Sequence, residues 1–136
     1  MSSVARNLQI YGGDVETNWQ AHRTEVLIEE HIRIYQIEIW VGIQRGHRGD
    51  VIGAVWIRRK GTEVDEGPLH VRAWDHYSDE SKDGLLKNLT PFYVEVFPGD
   101  TLVVTSFGAQ MNTPPALIGT HWKMLTVAHL LFTAAS

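Results

Sequence analysis

Apolar positions along the chain recur with a period of two far more often than with the 3.6 period of an amphipathic helix, which predicts strands. The clearest run is Ile32 to Arg45. There Arg33, Tyr35, Ile37, Ile39, Val41 and Ile43 fall on one face and Gln36, Glu38, Trp40 and Gln44 on the other. Upstream, Val26, Ile28, Ile32 and Ile34 occupy the opposite parity. The inward face must therefore switch between Glu29 and Gln36, through a bulge or a break between two strands.

A strand from Val51 to Lys60 follows. Gly46-His47-Arg48-Gly49-Asp50 joins it to the first with the glycines of a short hairpin loop, which predicts antiparallel pairing of the two. A third strand, Pro68 to Tyr77, sets Leu69, Val71 and Ala73 on one face and His70, Arg72, Trp74 and His76 on the other. Ser78 to Asn88 is polar with one apolar pair and reads as a loop or a single helical turn. Phe92 to Phe97 and Thr101 to Phe107 flank Pro98-Gly99-Asp100, the turn of an expected second hairpin.

Gly108 to Gly119 contains Pro114-Pro115 and reads as a long irregular connection. His121 to Ala134 is apolar on both parities apart from Lys123 and His129, as for a strand covered on both faces, in preference to a helix. With Val4 to Tyr11 as a first strand, the count is seven to eight strands and no long helix. The expected fold is all-β: one domain over 1–136, an antiparallel β-sandwich of jelly-roll-like or small-barrel closure.

Composition narrows the function classes. The formal net charge of −4 offers no general attraction to phosphate, so no nucleic-acid partner is expected. With no cysteine there is no disulfide, thiol nucleophile or Cys-ligated zinc. No apolar run reaches the ~18 residues of a membrane-spanning helix, and Met-Ser-Ser-Val-Ala-Arg-Asn is no signal peptide. The expectation is a cytoplasmic or non-classically exported protein without membrane insertion. After Asp100 there is no acidic residue and only Lys123 is basic, which predicts either core or a subunit interface and hence a homo-oligomer.

Candidate chemistry gathers on strands expected to be neighbours: Gln36, Glu38 and Trp40; then Trp56 and Arg58; then His70, Arg72, Trp74 and His76. Flat rings beside forked hydrogen-bonding groups suit a glycan, which stacks its C–H face on indole while its hydroxyls meet Arg, Glu and His. The same tryptophans would serve equally as core between two sheets. The seven histidines show no local metal-ligand spacing, so no metal is expected. Arg48-Gly49-Asp50 and Asn88-Leu89-Thr90 match an integrin-binding tripeptide and a glycosylation sequon, and both are explained by turn chemistry or are silent outside a secretory compartment. Glu38 has no second carboxylate placed for hydrolysis, and neither a serine elbow nor a phosphate loop is present.

The resulting expectation is a non-catalytic, lectin-like protein that needs no cofactor. Its glycan or small-molecule ligand would be held by Trp40, Glu38, Trp56, Arg58, His70, Arg72, Trp74 and His76. Loops Gly12 to Gln20 and Gly108 to Gly119 are alternative rim sites. A capsid-, tail- or shell-type assembly subunit is the first alternative. A small β-barrel isomerase or cyclase using His and an acid is the second.

Overall fold

The computed structural model describes residues 5–15, 20–43, 49–76, 84–87, 93–110 and 124–135. Among these lie nine strands: β1 (Arg6–Val15), β2 (Gln20–Leu27), β3 (Ile32–Ile43), β4 (Gly49–Arg58), β5 (Asp65–His76), β6 (Gly84–Lys87), β7 (Val94–Val96), β8 (Thr101–Gln110) and β9 (Met124–Ala134). They form two antiparallel sheets. Sheet A runs β1-β9-β3-β6, with β7 also paired to β3, and sheet B runs β2-β8-β4-β5. Because β6 and β7 lie along the same strand, they make one interrupted arm, and the architecture has eight arms.

The pairing is nested: β1 with β9, β2 with β8, β3 with β6 and β7, β4 with β5. This is an antiparallel ribbon folded back at the β4–β5 connection. The ribbon is rolled, so that β9 also pairs with β3 and β8 with β4. That arrangement is a jelly roll.

Alternation fills the space between the sheets. Ile10, Ile34, Ile37, Ile39 and Leu130 of sheet A meet Val55, Ile57, Leu102 and Val104 of sheet B, all buried. The expected face switch occurs as a bulge, where the β3–β9 register shifts between Ile34 and Gln36 and leaves Tyr35 extra. Ile32 and Ile34 point inward before it, and Ile37 and Ile39 after it.

Both expected hairpins are corrected. β3 and β4 do not pair with each other, since β3 belongs to sheet A and β4 to sheet B. The connection between them changes layers, and each strand finds its partners far away in sequence. Likewise β7 pairs with β3 while β8 pairs with β2 and β4. The turn itself is present: the Asp100 amide donates to the Phe97 carbonyl at 2.9 Å, and Gly99 takes a φ of 96°. The stretch expected to be loop or helical turn contains β6, whose backbone pairs with Glu38 to Val41 of β3.

Asp100 ties this end of the sandwich together. Its carboxylate accepts the Lys60 amide at 2.8 Å, the Phe97 amide at 2.9 Å and Arg59 Nη1 at 2.9 Å. Its carbonyl accepts the Ile28 amide at 2.8 Å. Burial pushes the Asp100 carboxyl up, but the donated hydrogen bonds outweigh it and hold the pKa below the usual carboxylate range.

Candidate functional site

The strand pairing divides the expected ligand face among three environments. Glu38 and Trp40 lie on the outer face of sheet A, since Ile37 and Ile39, which alternate with them, point inward. Trp56 and Arg58 lie on the outer face of sheet B, on either side of buried Ile57. His70 pairs directly with Val55, so it shares the inner face. The backbone register sets Arg72, Trp74 and His76 opposite Gly53, Val51 and Gly49, and their side chains lie outside the described residues. One surface built from β3, β4 and β5 together therefore does not form. On β3 simple alternation grouped Arg33 and Tyr35 with Ile37 and Ile39, whereas the bulge leaves both on the outer face with Glu38 and Trp40, and β3 as a whole stands in the other sheet. In addition, His70 pairs with Val55, whose neighbour Trp56 alternates to the other face, so Trp56 and His70 lie on opposite sides of sheet B.

On sheet B the polar groups bind one another. Trp56 Nε1 donates to Thr105 Oγ1 at 2.9 Å. Arg58 pairs with Glu25, which also receives Arg23 Nε at 3.2 Å, and Arg23 reaches Asp65 with both terminal nitrogens at 2.5 and 2.8 Å. These pairs depress the carboxyl pKa values, Glu25 mainly through the hydrogen bond from Arg58 and Asp65 mainly through that from Arg23. Val103, with Glu25 and Trp56 as its register neighbours, is 0% exposed although it sits on the solvent side of its sheet. The network serves as a roof over it. His70 is half-buried with its Nε2 atom buried and unpartnered, and desolvation lowers its pKa.

The outer face of sheet A is different in kind. Tyr11, Val127 and Trp40 stand side by side across β1, β9 and β3, and Tyr11 and Trp40 are 48% and 36% exposed. The neighbouring row holds Gln9, His129 and Glu38. Trp40 Nε1 donates to Glu38 Oε1 at 2.7 Å, and the His129 ring lies 5.3 Å from the indole.

At the other end of the face, Arg33 Nε donates to Glu95 Oε1 at 3.1 Å, and its guanidinium lies 5.5 Å over the Tyr93 ring. Tyr93 packs on Tyr35 at 5.9 Å. His31 stacks on Phe97 at 4.5 Å, with Nε2 3.6 Å from Glu95 Oε1.

The five exposed aromatic side chains among the described residues are Tyr11, Tyr35, Trp40, Tyr93 and Phe97, and all belong to strands of sheet A or to the residues flanking β7. The exposed large apolar residues on or beside sheet B are aliphatic: Leu27, Ile52, Val64 and Val71. Between the two aromatic ends runs β9, whose outward Val127, His129, Leu131 and Thr133 are half-buried rather than covered by a second layer of the described residues. Flanking side chains of β1 and β3 shield it in part, which accounts for its apolar character on both parities.

Sequence reasoning reached Trp40 and Glu38 but missed Tyr11, Tyr93 and the Arg33–Glu95 pair. The signal was the outward parity of Tyr11 and Trp40, and it could be read only with β9 known to lie between them. Of the rim loops, Gly12–Val15 and Gln20 belong to β1 and β2 and Gly108–Gln110 to β8; the remainder lies outside the described residues. Among the described residues no three His, Asp or Glu side chains converge where a metal ion could be held. No helix there is long and apolar enough to cross a membrane.

No family model and no curated sequence matches the chain. Among solved structures it is similar to Eiger TNF from S. frugiperda, with a TM-score of 0.45 and 14% identity over 100% of this chain and 96% of that one. It is also similar to a CocE/NonD family hydrolase from Staphylococcus aureus, at 0.45 and 11% over 98% of this chain and 33% of that one. A third is an infectious bursal disease virus VP2 subviral particle, at 0.38 and 12% over 96% and 32%. The chain spans about a third of the hydrolase and of the viral protein. The jelly-roll assignment rests on the strand pairing itself.

Proposed function

We propose that the chain is a non-catalytic assembly module that associates with further copies of itself through the outer face of sheet A. The observation that carries this reading is that every exposed Phe, Tyr and Trp among the described residues lies on that sheet or flanks its strand β7. Tyr, Trp and Arg are the side chains that dominate the energy of protein interfaces. Along its central strand β9 the face presents Val127, His129, Leu131 and Thr133, with Glu38 beside His129 and the Arg33–Glu95 pair at one end. Arg33 and Glu95 supply both signs of charge at one end, as a self-complementary contact between identical faces requires. Four arms about 4.8 Å apart and about 33 Å long give a flat footprint on the order of 600 Å². That approaches the ~800 Å² per partner of a stable interface.

Sedimentation velocity on the full chain tests this. The expected result is a concentration-dependent oligomer that Trp40→Glu and Tyr93→Glu return to 15.4 kDa monomers without loss of the β circular-dichroism signal. A wild-type chain that stays monomeric up to millimolar concentration sinks the proposal.

A second reading, binding of a glycan or a small ligand with an apolar face, is favoured by the Trp40 surroundings. The indole is held by Glu38 and bordered by His129, with Gln9 next in the row. A glycan array probed with wild type and with Trp40→Ala separates the two readings. Saturable binding that needs Trp40 in a monomeric protein belongs to this one.

A further inference from the structure

A cleft of about 350 Å³ opens at one end of the sandwich, between the edge strands β1 and β2 and the link that leads into β3. Leu8, Val26, Ile28, Ile32 and Phe132 give it an apolar floor, and Leu27, Glu29 and Glu30 surround the mouth. Leu8, Val26 and Phe132 pack against the core, so the floor is fixed by the fold. The cleft lies between the sheets rather than on the aromatic outer face and is independent of the assembly proposal.

The cleft wall already displays one mode of recognition. Arg6 sits opposite Phe132 in the β1–β9 register, with its guanidinium 4.9 Å over that ring and Nη2 donating to Glu30 Oε1 at 2.6 Å. A cation is thus held between an aromatic face and a carboxylate at the entrance to an apolar hollow. Glu29, exposed at the same mouth, has no ion-pair partner among the described residues. With Glu30 offset by Arg6, the mouth keeps one negative charge without a paired cation among the described residues.

We infer that this cleft binds a small organic cation, an ammonium or guanidinium carried on an apolar body. The body occupies the Leu8, Val26 and Ile32 floor, and the charge lies by Glu29 near the Phe132 ring. Size, apolar lining and a few polar groups at the rim match the usual small-ligand site. The sign of the charge selects against anionic amphiphiles of the same shape.

The probe is 2-phenylethylammonium, with 2-phenylethanol and 3-phenylpropionate as neutral and anionic counterparts. Each is titrated into the full chain while the methyl NMR signals of Leu8, Val26 and Ile32 are followed. The cation should shift these methyls saturably and the anion should not. Glu29→Gln should weaken the cation by about two- to fivefold, the scale of an exposed ion pair, and leave the alcohol unchanged. Arg6→Gln should tighten the cation by about the same factor, because it frees Glu30 and the Phe132 face. Leu27→Trp, at a position 60% exposed, should block the mouth without unfolding the chain. Equal binding of all three probes, no methyl shift with the cation, or weaker cation binding in Arg6→Gln would each overturn the assignment.

Discussion

The Thr126 hydroxyl donates to the Ser106 hydroxyl at 2.9 Å, and both residues are fully buried. This bond crosses the interior and joins β9 of sheet A to β8 of sheet B. Gly53 lies directly beneath it, and a Cβ there would come within 2.5 Å of Thr126 Cγ2 and 3.0 Å of Ile39 Cγ2. Glycine is required by close approach between the sheets, with no need for unusual backbone angles. Gly53→Ala should therefore cost about 1–3 kcal/mol by overpacking. In a Thr126→Ser background, which removes the nearer methyl and keeps the hydroxyl, the penalty should shrink. Urea unfolding of the four proteins measures it, and an unchanged penalty would place the strain elsewhere.

Asp100 should matter far more than its position in a surface turn suggests. Asp100→Asn turns one acceptor oxygen into a donor, although the carboxylate meets three donors in Lys60, Phe97 and Arg59. A loss of about 1–3 kcal/mol follows from the buried unsatisfied group. Arg59→Ala should fall in the same range, since Arg59 also donates to the Glu95 carbonyl at 2.8 Å. Equilibrium denaturation checks both, and additive costs in the double mutant would show that the two groups act independently.

Acid should destabilise the fold in two steps. The folded-state pKa of His70 is lowered by desolvation, so between the ordinary value of 6.5 and the lower folded one the unfolded chain binds the extra proton. Stability is complete above that window and falls as pH drops through it. Asp100, Asp65 and Glu25 are also depressed, and their contributions are lost only below the ordinary carboxylate values of 3.8 and 4.5. Denaturation midpoints measured from pH 8 to pH 3 should show both steps. His70→Leu should remove the upper one and leave the lower, whereas persistence of the upper step would assign it to a group other than His70.

The ion pairs over sheet B should contribute little in comparison. Arg23 and Glu25 are substantially exposed and Arg58 partly so, and exposed pairs contribute little and weaken with salt. Arg23→Ala should have a small effect that becomes smaller still in high salt. Trp56→Phe should cost more, through the lost Thr105 hydrogen bond and lost contact area. A reversed order would make the roof, rather than the indole, the chief protection of Val103.

Local chemistry by itself determined much of this protein. Alternating Ile and Val made strands, the parity of Ile34 against Ile37 demanded a bulge, and Pro98-Gly99-Asp100 made a turn. These features depend on neighbours within a few residues. The run His121 to Ala134, apolar on both parities, likewise read as a strand, and it contains β9.

Only the tertiary structure decided which strands lie together. An inward-facing alternation is satisfied equally by a hairpin and by a crossing to the opposite layer. For β3 and β4 the choice was made by β9 and β8, which lie far along the chain and supply each strand's hydrogen-bonding partner in a different sheet. The same non-local pairing gave Trp40 a solvent-facing row with Tyr11, bound the Trp56 indole to Thr105, and turned His70 into the interior. Three residues that look alike in the sequence thus occupy three surroundings, because solvent exposure is a property of the packed sheets and not of the strand that carries the side chain.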